Sequence, residues 1–498
     1  MGKRVQIKCI RQNGIVLLLL VMFIAIAAIS YFLTVISSDD IKQYQLDSSN
    51  KALQEAKQAL IAYAATYGDI DSDSDTIPDF PGEYGFLPCP DYNAGLSEGL
   101  EDNGNCGAQS ISKIGYLPWR TLGLANLKDE SGTCLMYAVT GDYKNDESAP
   151  PSNKVSMLNE DSNGMFQVVD QAGVVIQGQK PEDRIVAIVF APGKPLPGQS
   201  RTIEQTGSLC GMDYANYSAY LDTYGGTDNS VLTNAAYQID QFIHATANSI
   251  RDDNLNPYND RFVTISREEI WQAIVARTDF SQKMSYLSEA LTMCLGKYAA
   301  VSGLGRLPWP VKADLSDYQK NTSYDDNVDA APGYAGRLPF IVNNSNSDIG
   351  VVGSAELFTV AGCNALATSG DIVDLQTPGS EYRKLWDNWK DHFFYVVSKG
   401  HSPANVAALC SANCITVDGT QRAGLVIFGG PRQPGQIRNA PVAGDTDTKF
   451  DVSNYMVNGN AGIFPDNGGN GVYSTSGIGS GEIMFCLTAD ASPVKTPC

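Results

Sequence analysis

Residues 184–201 read RIVAIVFAPGKPLPGQSR, and residues 422–438 read RAGLVIFGGPRQPGQIR. Each begins with an arginine, runs through apolar and β-branched residues, breaks at Gly or Pro, and ends P-G-Q-x-R. An apolar run closed by Gly or Pro is the pattern of a buried strand and its turn. Its occurrence twice makes duplication the first question to settle, because a repeat sets the architecture.

Working outward from the pair, other elements also recur in order. ALIAYAATYG (59–68), FLPCPD (86–91) and GYLPWRTLGL (115–124) are answered by ALTMCLGKYAAVSG (290–303), RLPWPVKAD (306–314) and GYAGRLPF (333–340). CLMYAVTGDYK (134–144) is answered by FFYVVSKG (393–400). Each unit therefore reads as a helix, a proline-rich loop and a small sheet. Proline fixes φ and removes a donor, so the LPxP segments should cross a core without joining a ladder. Trp119, Trp309 and Phe340 read as core plugs over the helix. A first unit over 37–260 and a second over 261–498 are expected. TISREEIWQAIV should open a long helix, with Ser266 as its cap and Glu268 and Glu269 in its first turn. A helix is also expected near 235–250, and a surface loop over the Gly/Asn-rich stretch before a last strand, EIMFCLTA.

The chain has 498 residues, 43% hydrophobic and 18% charged, which describes a globular protein of two or more domains. A net charge of −20 argues against nucleic-acid binding, which needs a basic surface.

The N-terminus is basic over residues 1–14, with Lys3, Arg4, Lys8 and Arg11, and then carries no charge over 15–36. A run of that length suits a bilayer crossing of about 20 residues, with the basic side cytoplasmic. Leu53, Ala56, Leu60 and Tyr63 follow at helical spacing. A long membrane-spanning helix, a periplasmic ectodomain and an inner-membrane location are expected.

Ten cysteines lie beyond that segment: Cys89, Cys106, Cys134, Cys210, Cys294, Cys363, Cys410, Cys414, Cys486 and Cys498. An even number in an exported chain points to disulfides, with the pairing open. Cys89–Cys106, Cys410–Cys414 and Cys486–Cys498 are the local choices. No C-x-x-C occurs, and the three histidines, His244, His392 and His401, are scattered, which disfavours zinc. The histidines read as incidental.

Residues 69–80, DIDSDSDTIPDF, concentrate Asp69, Asp71, Asp73, Asp75 and Asp79. They read either as a solvated acidic loop or as a calcium site, since calcium takes convergent carboxylate oxygens. D-x-D-x-D-x-x-x-D resembles the calcium loops of thrombospondin type 3-like repeats, with Thr76 where those carry Gly. Gly95-Leu96-Ser97-Glu98-Gly99 matches G-x-S-x-G, but a nucleophile elbow needs a strand before it and a helix after it, and the surroundings are a polar loop. No enzymatic motif is positively favoured.

The basic leader, Gly14, the uninterrupted apolar run and its amphipathic extension resemble the type IV pilin and pseudopilin family. The resemblance implies an α+β fold: a long N-terminal membrane-spanning helix followed by two tandem duplicated pilin-like helix-plus-antiparallel-sheet lobes. It implies cleavage by a prepilin peptidase between Gly14 and Ile15, and filament assembly with other pilin or pseudopilin subunits. Cys486 and Cys498 resemble a pilin's C-terminal disulfide loop. Major pilins carry Glu five residues after the cut, where this chain has Leu19; minor and tip subunits can lack it. The expected function is a minor or tip-located, adhesive filament subunit, with calcium as its one candidate cofactor, and not an enzyme. The alternative is a single-span anchored periplasmic protein with binding or enzymatic lobes.

Overall fold

The computed structural model describes residues 17–27, 38–71, 74–92, 97–102, 104, 106–145, 157–201, 209–210, 216–244, 258–302, 304–326, 333–343, 354–404, 410, 413–441, 445–464, 466–477 and 481–498. Helix α1 (Ser38–Thr66) opens the first unit. The strands β1 (Lys113–Tyr116), β2 (Met136–Val139), β3 (Phe166–Val169), β4 (Val175–Gln177), β5 (Ile185–Ala191), β6 (Asp240–Ile243) and β7 (Arg261–Ser266) follow. Helices α2 (Arg267–Val275) and α3 (Thr278–Val301) lead into β8 (Ala335–Arg337), α4 (Glu381–Trp389), β9 (Phe393–Val397), β10 (Ile415–Val417), β11 (Thr420–Phe428), β12 (Val472–Tyr473), β13 (Ile483–Thr488) and β14 (Lys495–Pro497).

The strands form two seven-stranded sheets. In the first, β1, β2, β5 and β7 run antiparallel side by side; in the second, β8, β9, β11 and β13 do the same. A short strand precedes each long central one and pairs with its beginning (β3 with β5, β10 with β11). A later strand then adds parallel to that short one (β6 on β3, β12 on β10). The β10–β11 hairpin turns on Asp418 and Gly419, both at positive φ, as a two-residue D-G turn requires.

The duplication extends to single backbone bonds. Asp91 and Tyr116 exchange a reciprocal pair of N–H···O bonds at 3.0 and 3.1 Å; Val311 and Arg337 exchange the same pair at 2.9 and 2.7 Å. Each bridge passes over a glycine, Gly115 or Gly336, where a Cβ would sit 2.9 Å from Pro90 Cβ or 2.0 Å from the Val311 carbonyl oxygen. Leu87 N–H donates to the Tyr143 carbonyl at 2.6 Å, and Leu307 N–H to the His401 carbonyl at 2.8 Å. The proline-rich segments thus edge each sheet through one bridge apiece.

The central strands are buried on both faces, so their sequence is continuously apolar rather than alternating. Val186 and Val189 point into one core with the buried stripe of α1 (Leu53, Ala56, Leu60 and Ala64), while Ile188 and Phe190 point into another. In the second sheet Val426 and Phe428 face the helical side, and Leu425 and Ile427 face the other. The helix-side core is shared. One cluster runs from α1 through Trp271 and Phe280 to Trp386, Trp389 and Phe428, so the two units are fused.

Several expectations are corrected. Among the described residues no helix is long and apolar enough to cross a membrane. That overturns the membrane-spanning helix over 15–36, the fold led by it, the membrane and pilin terms that rested on it, and the single-pass inner-membrane location. The described part of the stretch is a helix over 17–27 only, against about 20 residues for a crossing; the rest of it, with Gly14 and Ile15, lies outside the described residues. The architecture is a mixed assembly of helices and many strands. Asp240–Ile243, expected in a helix, is a strand because it pairs in register with Phe166–Val169. Strand β7, placed at the start of the second unit, completes the first sheet beside β5. Ser266 does cap α2 in a reciprocal capping box with Glu269, but the helical run breaks before α3, where Arg277 is the N-cap. The Gly/Asn-rich stretch holds 3-10 turns and β12, and β14 follows EIMFCLTA as the last strand.

Candidate functional site

Of the residues sequence reasoning singled out, the cysteines come together in pairs, and the described aspartates of the acidic loop take other partners. In the acidic loop, Asp69 is ion-paired with Arg277 at 2.7 Å. The Asp71 carboxylate accepts the backbone N–H groups of Asp75 and Thr76 at 3.2 and 2.9 Å, and Asp75 accepts that of Ile77 at 2.7 Å. Ser74 and Thr76 take positive φ to let the chain wrap its own carboxylates. Asp73 lies outside the described residues, and the groups of three potential metal ligands among those described lie elsewhere. Gly95 and Leu96 of the G-x-S-x-G match are likewise outside, and Ser97 sits in a turn. Trp119 and Trp309 are partly buried against the helix-side core and Phe340 is inside it.

Five disulfides close: Cys89–Cys106, Cys134–Cys210, Cys294–Cys363, Cys410–Cys414 and Cys486–Cys498. Each lies within one unit. His401 sits beside the Cys410–Cys414 bridge, but its Nδ1 is 3.1 Å from Ser398 Oγ and its Nε2 3.0 Å from the Asp490 carbonyl. With both thiols in a disulfide this is a satisfied structural histidine, not a metal ligand.

The chemistry concentrates instead at the seam between the units. The segment 157–163 of the first unit, MLNEDSN, lies against α4 and its C-terminal turn. Leu158 N–H donates to Asn388 Oδ1 at 3.1 Å, and Asn159 Nδ2 donates to the Asn388 carbonyl at 2.8 Å and to Asp391 Oδ1 at 2.9 Å. This hands Glu160 and Asp161 to the second unit. Glu160 Oε1 meets Arg438 Nη1 at 2.8 Å and accepts the Arg432 N–H at 2.7 Å. Asp161 Oδ2 meets Lys449 Nζ at 3.1 Å, and Lys449 also pairs with Asp391. His392 Nδ1 is 3.0 Å from Asp391 Oδ1, and its Nε2 is 3.5 Å from Asp161 and 3.6 Å from Glu160. Arg337 sits among the rings of Tyr318, Phe394 and Tyr455 and donates to the carbonyls of Ala313, Asp391 and Lys449. The side chains of Asp161, Asp391, His392, Arg337 and Arg438 have no exposed surface.

Burial alone would neutralise such groups, but here the partners win. Burial opposes ionisation of Asp161 and Asp391, yet Lys449 and His392 hold both carboxyls below the usual range. Burial pushes His392 down, and Asp391 and Asp161 more than offset it, so its imidazolium is favoured. Glu160, Asp161 and His392 are close enough to ligate a metal, but Arg438 and Lys449 already match their charge. The geometry is that of a clamp.

Arg438 shows how the clamp arose. Its Nε donates to the Asn454 carbonyl at 2.6 Å, its Nη2 to Gln436 Oε1 at 2.9 Å and its Nη1 to the Gly430 carbonyl at 3.2 Å, with the guanidinium over Tyr455. In the first unit Arg201 donates from Nε to the Ala219 carbonyl at 2.8 Å, from Nη2 to Gln199 Oε1 at 3.3 Å and from Nη1 to the Gly193 carbonyl at 2.7 Å, over Tyr220. The P-G-Q-x-R ending is thus one device built twice: Gln braces the loop and Arg ties it to a Tyr-bearing turn. Among the described residues, only the second copy also receives carboxylates from its neighbour. His392 and Asp161 escaped sequence reasoning; the one available signal was an Asp-His pair set directly before the apolar run FFYVV.

Beside the clamp a cleft of about 290 Å³ opens between the units, with Asp142, Asn163, Tyr237, Asp317, Tyr318 and Lys449 among its walls. The chain matches no protein-family model, no curated protein and no solved structure.

Proposed function

We propose that the chain is a structural, non-catalytic subunit of a pilin- or pseudopilin-like filament of the type IV pilus or type II secretion kind, with the fused double unit as its outward, adhesive head. The observation that carries this reading is the bare apolar helix over 17–27, where Leu17, Phe23 and Ile24 are 65%, 71% and 61% exposed. A contiguous apolar surface of this kind requires a cover. The same helix of neighbouring subunits supplies one by side-by-side packing of apolar stripes. Leu19 in place of an acidic residue suits a subunit with no successor above it. The test is the mass of the N-terminal peptide from cells carrying a prepilin peptidase. The reading expects a chain beginning at a methylated Ile15; a chain that keeps the residues through Gly14 overturns it.

A further inference from the structure

The cleft between the units contains a group the clamp does not use. Asp142 lies in the 3-10 turn after β2 and is 8% exposed, and its Oδ1 is buried without a hydrogen-bond partner. Its sequence neighbour Lys144 is engaged elsewhere, donating to the carbonyls of Cys106 and Gly107. A buried carboxyl oxygen left unpaired costs free energy unless something in the cleft answers it.

Two neighbours indicate what that is. Tyr237 projects from backbone held at φ 55, a conformation a bulky residue seldom takes, and its N–H is anchored to the Ser110 carbonyl at 2.9 Å. Asp317, on the second unit's wall, is folded onto its own loop by the N–H of Gln319 at 2.9 Å and by Lys320 at 3.0 Å. That ion pair is exposed on its lysine side, 60%, and holds weakly. The cleft's own cation, Lys449, is committed to Asp161 and Asp391. Asp142, Asp317 and Tyr237 therefore all line the space, and Lys144, the cation that acts on Asp142, donates to backbone carbonyls instead. Burial pushes the Asp142 carboxyl up to about 7 despite Lys144. Both aspartates in turn raise the Tyr237 hydroxyl, after burial itself, which places the three groups in one electrostatic neighbourhood.

We propose that this inter-unit cleft binds a small organic ammonium ion, whose N–H donors meet Asp142 at the floor and Asp317 and Tyr237 at the mouth. An ammonium is compact, carries three donors and no acceptor, and complements the carboxyl groups of Asp142 and Asp317 in the lining. The volume is that of about ten waters, enough for a four-carbon diamine. This site is independent of filament assembly, and its test leaves that reading untouched.

The experiment is calorimetric titration of the full chain with 1,4-diaminobutane, using uncharged 1,4-butanediol as the isosteric control. Binding of the diamine with at least tenfold preference over the diol is expected at pH 8. Affinity should fall about tenfold at pH 6, because the ionised form of Asp142 is then the minor one. Asp142→Asn, which keeps the shape and the neutral state, should abolish the preference and the pH dependence while its melting temperature at pH 6 stays at the parent value. Tyr237→Phe should weaken the diamine without removing its preference. Equal binding of diamine and diol, no binding at millimolar diamine, or an unchanged preference in Asp142→Asn overturns the proposal.

Discussion

Asp161→Asn should separate the two units energetically before it harms either one. Asp161 is fully buried, 3.1 Å from Lys449, 3.5 Å from His392 and 3.9 Å from Arg438, and it accepts from the Tyr455 hydroxyl at 3.4 Å. At an effective dielectric of about 20, a unit pair at that first distance attracts by roughly 5 kcal/mol, part of which desolvation cancels. Lys449 keeps Asp391, but the net positive charge left on Lys449, His392 and Arg438 is stranded. A loss of about 3–5 kcal/mol is expected, the usual cost of removing one member of a buried pair. The assay is urea unfolding, followed by the near-ultraviolet signal of the seam tryptophans Trp271 and Trp389, whose rings meet at 5.5 Å. With m of about 3 kcal/mol per molar, the midpoint should move down by about 1 M or more. Lys449→Met alone should cost a similar amount. The double variant should cost less than the sum of the singles by about 2 kcal/mol, since the removed charges are each other's partners. Additive losses, or a single loss below about 1 kcal/mol, would show that the acids are hydrated rather than clamped, and the reasoning fails.

Other expectations follow from the same geometry. Gly336→Ala should destabilise more than Gly115→Ala, because its Cβ lands 2.0 Å from a backbone oxygen rather than 2.9 Å from a proline carbon; costs of about 3 and about 1–2 kcal/mol are expected by thermal melting, and the reverse order would break the equivalence of the two bridges. Asp326 is raised to about 7, first by burial and then by Asp325, against the opposing N–H of Asn343. A carboxyl raised in the folded state favours folding while it is protonated, so its contribution should fade between about pH 4 and pH 7, by at most about 4 kcal/mol. Asp326→Asn should flatten that slope, and an unchanged slope refutes the assignment. Replacing Cys134 and Cys210 by Ser opens a loop of 76 residues and should cost about 4 kcal/mol, whereas the pair Cys410 and Cys414, four apart, should cost about 2; equal losses would point to native-state strain instead.

The repeated architecture was legible because it is written in local pattern. The two apolar runs ending in P-G-Q-x-R, the paired LPxP segments and the Ser266/Glu269 box all carry their geometry in neighbouring residues. The strand over Asp240–Ile243 was not legible, since its short apolar run becomes a strand only when Phe166–Val169 offers an edge. The clamp was less legible still. Asp161 and Lys449 are each ordinary charged residues, and nothing local says that one chain end will bury both with His392. The aspartate-rich loop shows the opposite case. Its composition suggests a gathered ion site, whereas Asp69 is engaged by Arg277, and Asp71 and Asp75 by the loop's own N–H groups.

The shared helix-side core also has a consequence in time. Lys449 follows Asp161 by 288 residues, and at ribosomal rates of about 5–20 residues per second that stretch takes roughly 15–60 s to appear. For the part of that interval between the completion of β7 at Ser266 and the arrival of Trp386, the first sheet has all its strands but no Trp386, Trp389 or Phe428 to cover it, and Glu160 and Asp161 still lack Arg438 and Lys449. The newborn first half is therefore a soft, acidic, half-covered intermediate. A stop codon or proteolytic cut between the units should release a fragment prone to self-association, not a small stable copy of the whole.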